Sequence, residues 1–340
     1  MDAWGGVTQY GTIWIWVSGT GVLAAFRRRL RTSDAHGDRS QTMPMVDVII
    51  PAYNAARYLP TAIESVEAQS FEDWRILLVD DGSTDDTADV VAPYIERLGP
   101  KLKYIKQANG GLPAARNTAI RNSTAEFLAL LDADDVWLPC RLAESLKIFE
   151  DRPRVGMSYG FIHLIDQEGR FLETLNGVQR HAEGNIAPYI YMRVVQLPCP
   201  TITFRRRCVD EVGLFDETMR ATEDRDMWFR IALKYEVGLV PHVIANYRTS
   251  PASMTTDPDR MLRAQLQFIE KHYGSPGCGW GTRRFALSRC YRQRAEALER
   301  RGEKVAALKS SARALLFYPW DFNNVRTTGS LLLGCVGSGR

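Results

Sequence analysis

The sequence is poor in several features that would name a chemistry at once. Its six cysteines share no CxxC spacing and its five histidines lie far apart along the chain. That excludes a recognisable zinc pattern and argues against a disulfide framework, so the cysteines read as scattered, reduced thiols of a cytoplasmic protein. The pair Gly110-Gly111 is not a GxGxxG run, and the dinucleotide fingerprint is absent. Charge of one sign is lacking too: the net charge is only +3, which gives no reason to expect a nucleic-acid partner. A hydrophobic fraction of 45% with 24% charged residues is that of an ordinary folded protein. The 340 residues suffice for one large domain, or for a catalytic domain with an appendage.

A strongly apolar membrane span is also missing. Residues 3–26 carry no charge and are followed by Arg27-Arg28-Arg29-Leu30-Arg31. That length just reaches across a bilayer, with the basic flank on the cytoplasmic side. Several glycines, Gln9, Ser18 and threonines dilute it, however. A cleaved signal peptide fits poorly, because the basic cluster follows the apolar run. Two readings stay open: an association with the inner face of the plasma membrane, or an extension without function ahead of a fold starting near Met43 or Met45. Residues 32–44 are polar and turn-rich and read as a linker.

What is present is an alternation of strands and helices. Residues 46–50 form a β-branched run ended by Pro51, and residues 75–79 a second strand ending in Asp80-Asp81-Gly82-Ser83. Asp85-Asp86 can cap a helix that runs to Leu98, where Gly99-Pro100 stops it. Residues 102–105 read as a third strand, 112–121 as a helix and 126–131 as a strongly apolar fourth strand. The pattern predicts an α/β fold with a doubly wound, mostly parallel, Rossmann-like sheet. In such sheets ligands bind outside the carboxyl ends of the strands. Tyr53-Asn54, Asp80-Asp81 and the run Asp132-Ala133-Asp134-Asp135 all arrive at that edge. Further on, residues 224–235 suit a helix and 237–240 a strand. Residues 292–300 and 303–317 suit a packed helical pair, one hairpin that cannot build a solenoid alone.

Three carboxylates within four positions repel one another unless a cation or donors offset them. Hard ions such as Mg2+ and Mn2+ prefer carboxylate oxygen and share their shell with substrate phosphates. The alternative is a solvated acidic turn that caps the next helix. Asp80-Asp81 can accept from a nucleobase NH or simply make a turn. Tyr53 can stack on a base or pack locally, and Arg116 offers a planar donor fork to base or phosphate. Glu223-Asp224 opens a helix, where the dipole favours acids; the functional alternative is a general base acting on a hydroxyl.

The ordered segments 46–54, 78–85, Gly110-Gly111 with Ala115-Arg116-Asn117, 131–135, and Glu223-Asp224 with Trp228 resemble the family 2 inverting glycosyltransferases over residues 46–248. The resemblance implies a GT-A fold and a metal-assisted displacement at the anomeric carbon of a nucleotide sugar. Carried onto this sequence, Pro51, Ala52, Tyr53, Asp80, Asp81 and Arg116 match positions that hold the nucleotide. Asp132 matches a donor-side contact, Asp134 the metal ligand for Mn2+ or Mg2+, and Asp224 the catalytic base. Arg248, with Tyr247 and Ser253, resembles a segment closing over the donor diphosphate, and residues 200–204 resemble the acceptor side. The division expected is an extension over 1–44, a GT-A catalytic domain over 45–255 and a helical extension over 256–340. The partners implied are a nucleotide-diphosphate sugar and a glycan or lipid-linked acceptor, in cell-surface polysaccharide synthesis. A nucleotidyltransferase is the competing enzyme class, but Pro51-Ala52-Tyr53-Asn54 is nothing like its glycine-rich basic loop. A non-catalytic sugar-nucleotide binder predicts loss of an acidic motif, and all of them are present.

Overall fold

Four aliphatic runs form the first half of a sheet: β1 (Val46–Ala52), β2 (Trp74–Asp80), β3 (Leu102–Lys106) and β4 (Phe127–Leu130). β1 is buried at all seven positions and lies between β2 and β4, parallel to both, while β3 continues the parallel order beyond β2. A continuous apolar run is what a strand covered on both faces requires. The connecting helices are α1 (Leu59–Glu67), α2 (Thr87–Leu98) and α3 (Leu112–Arg121). α2 starts after Asp86, but Asp86 makes no side-chain cap bond. It is Asp85 that accepts from the Thr87 amide, at 3.1 Å.

The computed structural model describes residues 45–150, 152–175, 183–219, 221–249 and 257–336. These belong to one compact unit, Met43–Arg340. The apolar segment 3–26, the linker and Ser253 lie outside the described residues. Among the described residues no helix is long and apolar enough to cross a membrane.

Beyond β4 the sheet becomes mixed. The further strands are β5 (Val136–Trp137), β6 (Val155–Ile165), β7 (Phe171–Leu175), β8 (Thr203–Arg205) and β9 (Glu236–Arg248). Their order gives β3-β2-β1-β4-β8-β6-β9-β5, with β7 on β6. β8 runs antiparallel to both β4 and β6, and β5 antiparallel to β9, while β6 and β9 are parallel. The parallel half is the one foreseen from the strand–helix alternation. The mixed half arises because strands of two or three residues enter from loops and need no crossover helix.

The remaining helices are α4 (Arg141–Glu150), α5 (Ala187–Tyr191), α6 (Arg206–Val212), α7 (Glu223–Ala232), α8 (Pro258–Lys271), α9 (Trp280–Arg300), α10 (Lys304–Phe317) and α11 (Phe322–Val336). The main apolar cluster runs from Ile49, Leu77 and Leu128 in the sheet, through Trp228 and Phe229 of α7, to Phe268 of α8 and Leu287 of α9. A smaller cluster of Ala295, Leu298, Ala307 and Leu331 joins α9, α10 and α11. The expected helical pair is therefore present and continues into a third helix.

Candidate active site

The site begins where β1 and β2 end side by side, with Ala52 in register with Asp80. Two loops are zipped together there. Asn54, at φ 49, donates its amide to Ser83 Oγ at 3.0 Å and accepts from the Thr84 amide at 2.9 Å. A short polar side chain tolerates that left-handed backbone. Pro51 and Ala52 are buried in the strand, and Tyr53 is 53% exposed beyond it.

Asp80 and Asp81 are both buried and both engaged. Asp80 accepts from the Ser83 amide at 2.7 Å and from Tyr104 Oη at 2.6 Å. Burial alone would raise its carboxyl; the Tyr104 and Ser83 hydrogen bonds hold it below its ordinary value. Asp81 accepts from Gln107 Nε2 at 2.7 Å and from the amides of Gly110 and Gly111 at 2.9 and 2.7 Å. The glycine pair thus shapes the turn ahead of α3 against this carboxylate. Gly111 sits at φ +89, and a Cβ on Gly110 would meet Ala114 Cβ at 2.9 Å. A nucleobase NH would have to use lone pairs these donors leave over.

The strand β4 delivers the acidic run. Asp132 keeps a side chain 23% exposed, and Asp135 is fully enclosed. Burial, and then the charge of Asp132, push the Asp134 carboxyl up to about 6. Asp135 is raised as well, by burial first and then by the charges of Asp134 and Asp132. Its Oδ1 accepts the Arg248 amide at 2.8 Å, while Oδ2 has no partner among the described residues. Arg248 turns its side chain along the same loop, giving Nε to the Asp134 carbonyl at 2.8 Å and Nη1 to the carbonyls of Asp166 and Gln167. Its guanidinium lies 4.7 Å from the Tyr58 ring centroid. Arg248 therefore clamps the backbone of the acidic run, a role the sequence did not suggest.

Arg116, expected to offer a planar donor fork to base or phosphate, is almost wholly buried, at 1% exposure. Nη2 donates to Asp132 at 2.7 Å and to Cys199 Sγ at 3.1 Å, and Nη1 donates to Glu223 at 3.0 Å. Among the described residues its Nε has no partner. This one side chain ties the acidic run to the start of α7, where Glu223 and Asp224 lie. Glu223 is buried, and burial followed by the charge of Asp224 raises its carboxyl to about 7 against the opposing pull of Arg116. Asp224 is half-buried and its Oδ1 accepts the Arg225 amide at 2.6 Å. Its Oδ2 has no partner among the described residues.

The segment 200–204, expected from the resemblance on the acceptor side, is also fixed. Trp137 Nε1 donates to the Pro200 carbonyl at 2.7 Å, and Arg141 donates to Thr203 Oγ1 at 2.5 Å and to the Ile202 carbonyl at 2.6 Å. Arg205, Arg206 and Arg207 each donate to a backbone carbonyl of the protein, those of Val155, Ile120 and Pro153. The structure thus brings Asp132, Asp134, Arg116, Arg248 and Asp224 into one neighbourhood. Glu223 and Cys199 belong to it as well; Glu223 was named in the sequence with Asp224 but given no separate role, whereas nothing flagged Cys199.

Among the described residues no group of three or more His, Cys, Asp or Glu is arranged to hold a metal ion. The residues fit an ion of the shared kind, bound by one or two carboxylates and completed by substrate phosphates. Asp134 and Asp132 would supply that pair, and the repulsion within the run is offset only in part by Arg116, paired with Asp132, and by the nearby charge of Arg248.

The model of "Glycosyl transferase family 2" matches residues 47–211. An uncharacterized glycosyltransferase of Nostoc sp. is 30% identical over 239 residues, 67% of this chain and 74% of the relative. An uncharacterized glycosyltransferase of Rickettsia conorii is 31% identical over 216 residues, and this chain spans only 35% of its length. Among solved structures, S. aureus TarS 1-349 in complex with UDP-GlcNAc superposes with a TM-score of 0.58 at 17% identity, over 84% of this chain and 90% of that one. The mannosyltransferase PcManGT from Pyrobaculum calidifontis, in complex with GDP-Man and Mn2+, gives 0.58 at 18% identity over 94% of both chains. The mixed sheet flanked by helices is therefore a GT-A fold, and the chain belongs to glycosyl transferase family 2.

Proposed function

We propose that the chain transfers a hexosyl unit from a nucleotide-diphosphate sugar to an acceptor hydroxyl with inversion. The observation that carries this reading is the Arg116 bridge, which joins the acidic run at the end of β4 to the Glu223-Asp224 pair at the start of α7. Asp224 acts as the base: its uncommitted oxygen takes the proton from the acceptor hydroxyl as that oxygen attacks the anomeric carbon. A single displacement needs one base and no protein nucleophile. Pro51, Ala52, Tyr53, Asp80 and Asp81 form the nucleoside rim. Asp132 and Arg248 steady the donor side, Arg248 by holding the Asp134 carbonyl in place. Asp134, with Asp132, would hold Mn2+ or Mg2+, which when bound offsets the negative charge growing on the departing diphosphate.

The complexes of similar folds with UDP-GlcNAc and with GDP-Man and Mn2+ support a nucleotide-sugar donor and a divalent ion. A bacterial cell-surface glycan, soluble or lipid-linked, is the acceptor class proposed, with the protein working at the cytoplasmic side of the membrane. The test is a donor screen on the full chain with Mn2+ or Mg2+ and a panel of UDP-, GDP- and dTDP-sugars. Release of nucleoside diphosphate from one of them is expected. Neither release nor binding with any member of the panel would refute the reading.

A further inference from the structure

Next to Asp224, four arginines come together from three separate stretches of chain. Arg225 is in the first turn of α7, Arg193 follows α5, and Arg289 and Arg292 lie in the middle of α9. Arg289 Nε donates to the Arg193 carbonyl at 3.1 Å, Arg193 Nη2 to Gln293 Oε1 at 2.8 Å, and Arg225 Nη1 to the Ile190 carbonyl at 3.2 Å. Each of these bonds could be made by a neutral donor, so hydrogen bonding alone does not call for the charges.

Counter-charge is scarce here. Arg292 pairs with Glu296 at 3.0 Å, whereas Arg193, Arg225 and Arg289 form no ion pair among the described residues. The acidic groups facing them are Asp224 beside Arg225 and Asp321 near Arg289, with the buried thiol of Cys290 between. Burial first, and then repulsion by Arg193, lower Arg225 to about 9; burial and the charges of Arg292 and Arg193 also lower Arg289. Arg193 is 9% exposed, its Nε has no partner among the described residues, and its backbone sits at φ 60 in the left-handed region. An arginine held in strained backbone, with a buried unpaired donor among like charges, marks a place prepared for something absent from the chain.

We propose that Arg193, Arg225, Arg289 and Arg292 form a subsite for a phosphate group carried by the acceptor, anchoring it so that its hydroxyl meets Asp224. The acceptor role rests on the reading of Asp224 as the base. A phosphate suits the cluster better than a carboxylate. It offers three oxygens and up to two charges to several guanidinium forks, whereas one carboxylate is satisfied by a single bidentate arginine. The donor diphosphate is served from the acidic run instead, so the two anions of the reaction have separate sites.

The test uses the full chain in EDTA at constant ionic strength, with inorganic phosphate as the probe and calorimetry and thermal melting as readouts. Without metal the acidic run repels phosphate, leaving the arginines as the site. Phosphate should bind and raise the melting temperature. Arg225→Gln and Arg289→Gln should each weaken that binding at least ten-fold, while Arg289→Lys loses less. In phosphate-free buffer the two glutamine variants should melt no lower than the parent, because each relieves repulsion. A purely structural pin would show the opposite, a lower melting temperature with unchanged phosphate affinity, and that result would overturn the subsite. Glucuronate competing as well as phosphate would overturn the phosphate assignment. Asp224→Asn should bind phosphate at least as tightly as the parent. Phosphate bound and lost as described, with no donor turned over in the screen above, would refute the transferase reading and with it the acceptor role. An absent phosphate effect beside an active enzyme would refute the subsite alone.

Discussion

Arg116 makes four acceptors into one unit: Asp132, Cys199 and Glu223 by contact, and Asp224 through its neighbour Glu223. The consequence can be read in pH. Glu223 holds its proton more tightly in the fold than the ordinary value of 4.5, with its carboxyl raised to about 7. A raised acid favours the folded state most below its unfolded value and loses that advantage as pH climbs through the folded one. Stability should therefore decline between pH 4.5 and about 7, and Glu223→Gln should flatten that part of a urea-unfolding profile. An unchanged slope would remove Glu223 as the cause. The spacing of Asp132, Asp134 and Asp135 was legible because three acids share four positions. The commitments of Arg116 were not, since its partners lie 16, 83 and 107 residues away and no local pattern announces them.

Elements were legible in proportion to their length and periodicity. β1 and β2 announce themselves as unbroken aliphatic runs, and α3 ends where its sequence pattern stops. β5 and β8, of two and three residues, carry no period at all, and only tertiary pairing with β9, β4 and β6 makes them strands. The seating of α7 was equally hidden. Its Asp226 is fully buried between Arg230 at 2.8 Å, Lys271 at 2.7 Å and His272 at 2.8 Å, tying α7 to the end of α8. Burial works to raise that carboxyl, yet His272, Lys271 and Arg230 hold it far below 3.8. Its contribution is complete above the unfolded value and drains as pH falls below it. Asp226→Asn should cost about 3 kcal/mol at pH 7, because charges are left facing a neutral amide. The cost should shrink at pH 3; equal destabilisation at both would show that packing, not charge, is responsible.

At the scale of the molecule, the sequence suggested a catalytic domain ending near 255 with helices appended. The apolar cluster crosses that line. Tyr191, Phe229 and Phe268 pack as a triangle with centroids 5.7 to 6.1 Å apart, and Tyr191 Oη donates to the Ile269 carbonyl at 3.1 Å. We propose that residue 255 divides the motifs but not the folding unit. A chain cut before Pro258 forfeits Phe268, worth about 3–5 kcal/mol by itself, along with the cover that α9 gives to the same core. It should show no cooperative thermal transition; a cooperative melt near that of the full chain would make the helices a true appendage.

The division of labour between the acidic run and the start of α7 is the centre of the account. Donor affinity and turnover measured side by side in Asp224→Asn and Asp134→Ala test it most directly. Asp224→Asn should lose turnover by roughly 10²-fold or more while donor Kd stays within about two-fold. Asp134→Ala should instead weaken donor binding, and the dependence of that binding on Mn2+ should disappear. Donor affinity falling in step with turnover in Asp224→Asn, or an unaltered Mn2+ requirement in Asp134→Ala, would contradict the assignment of base and metal ligand.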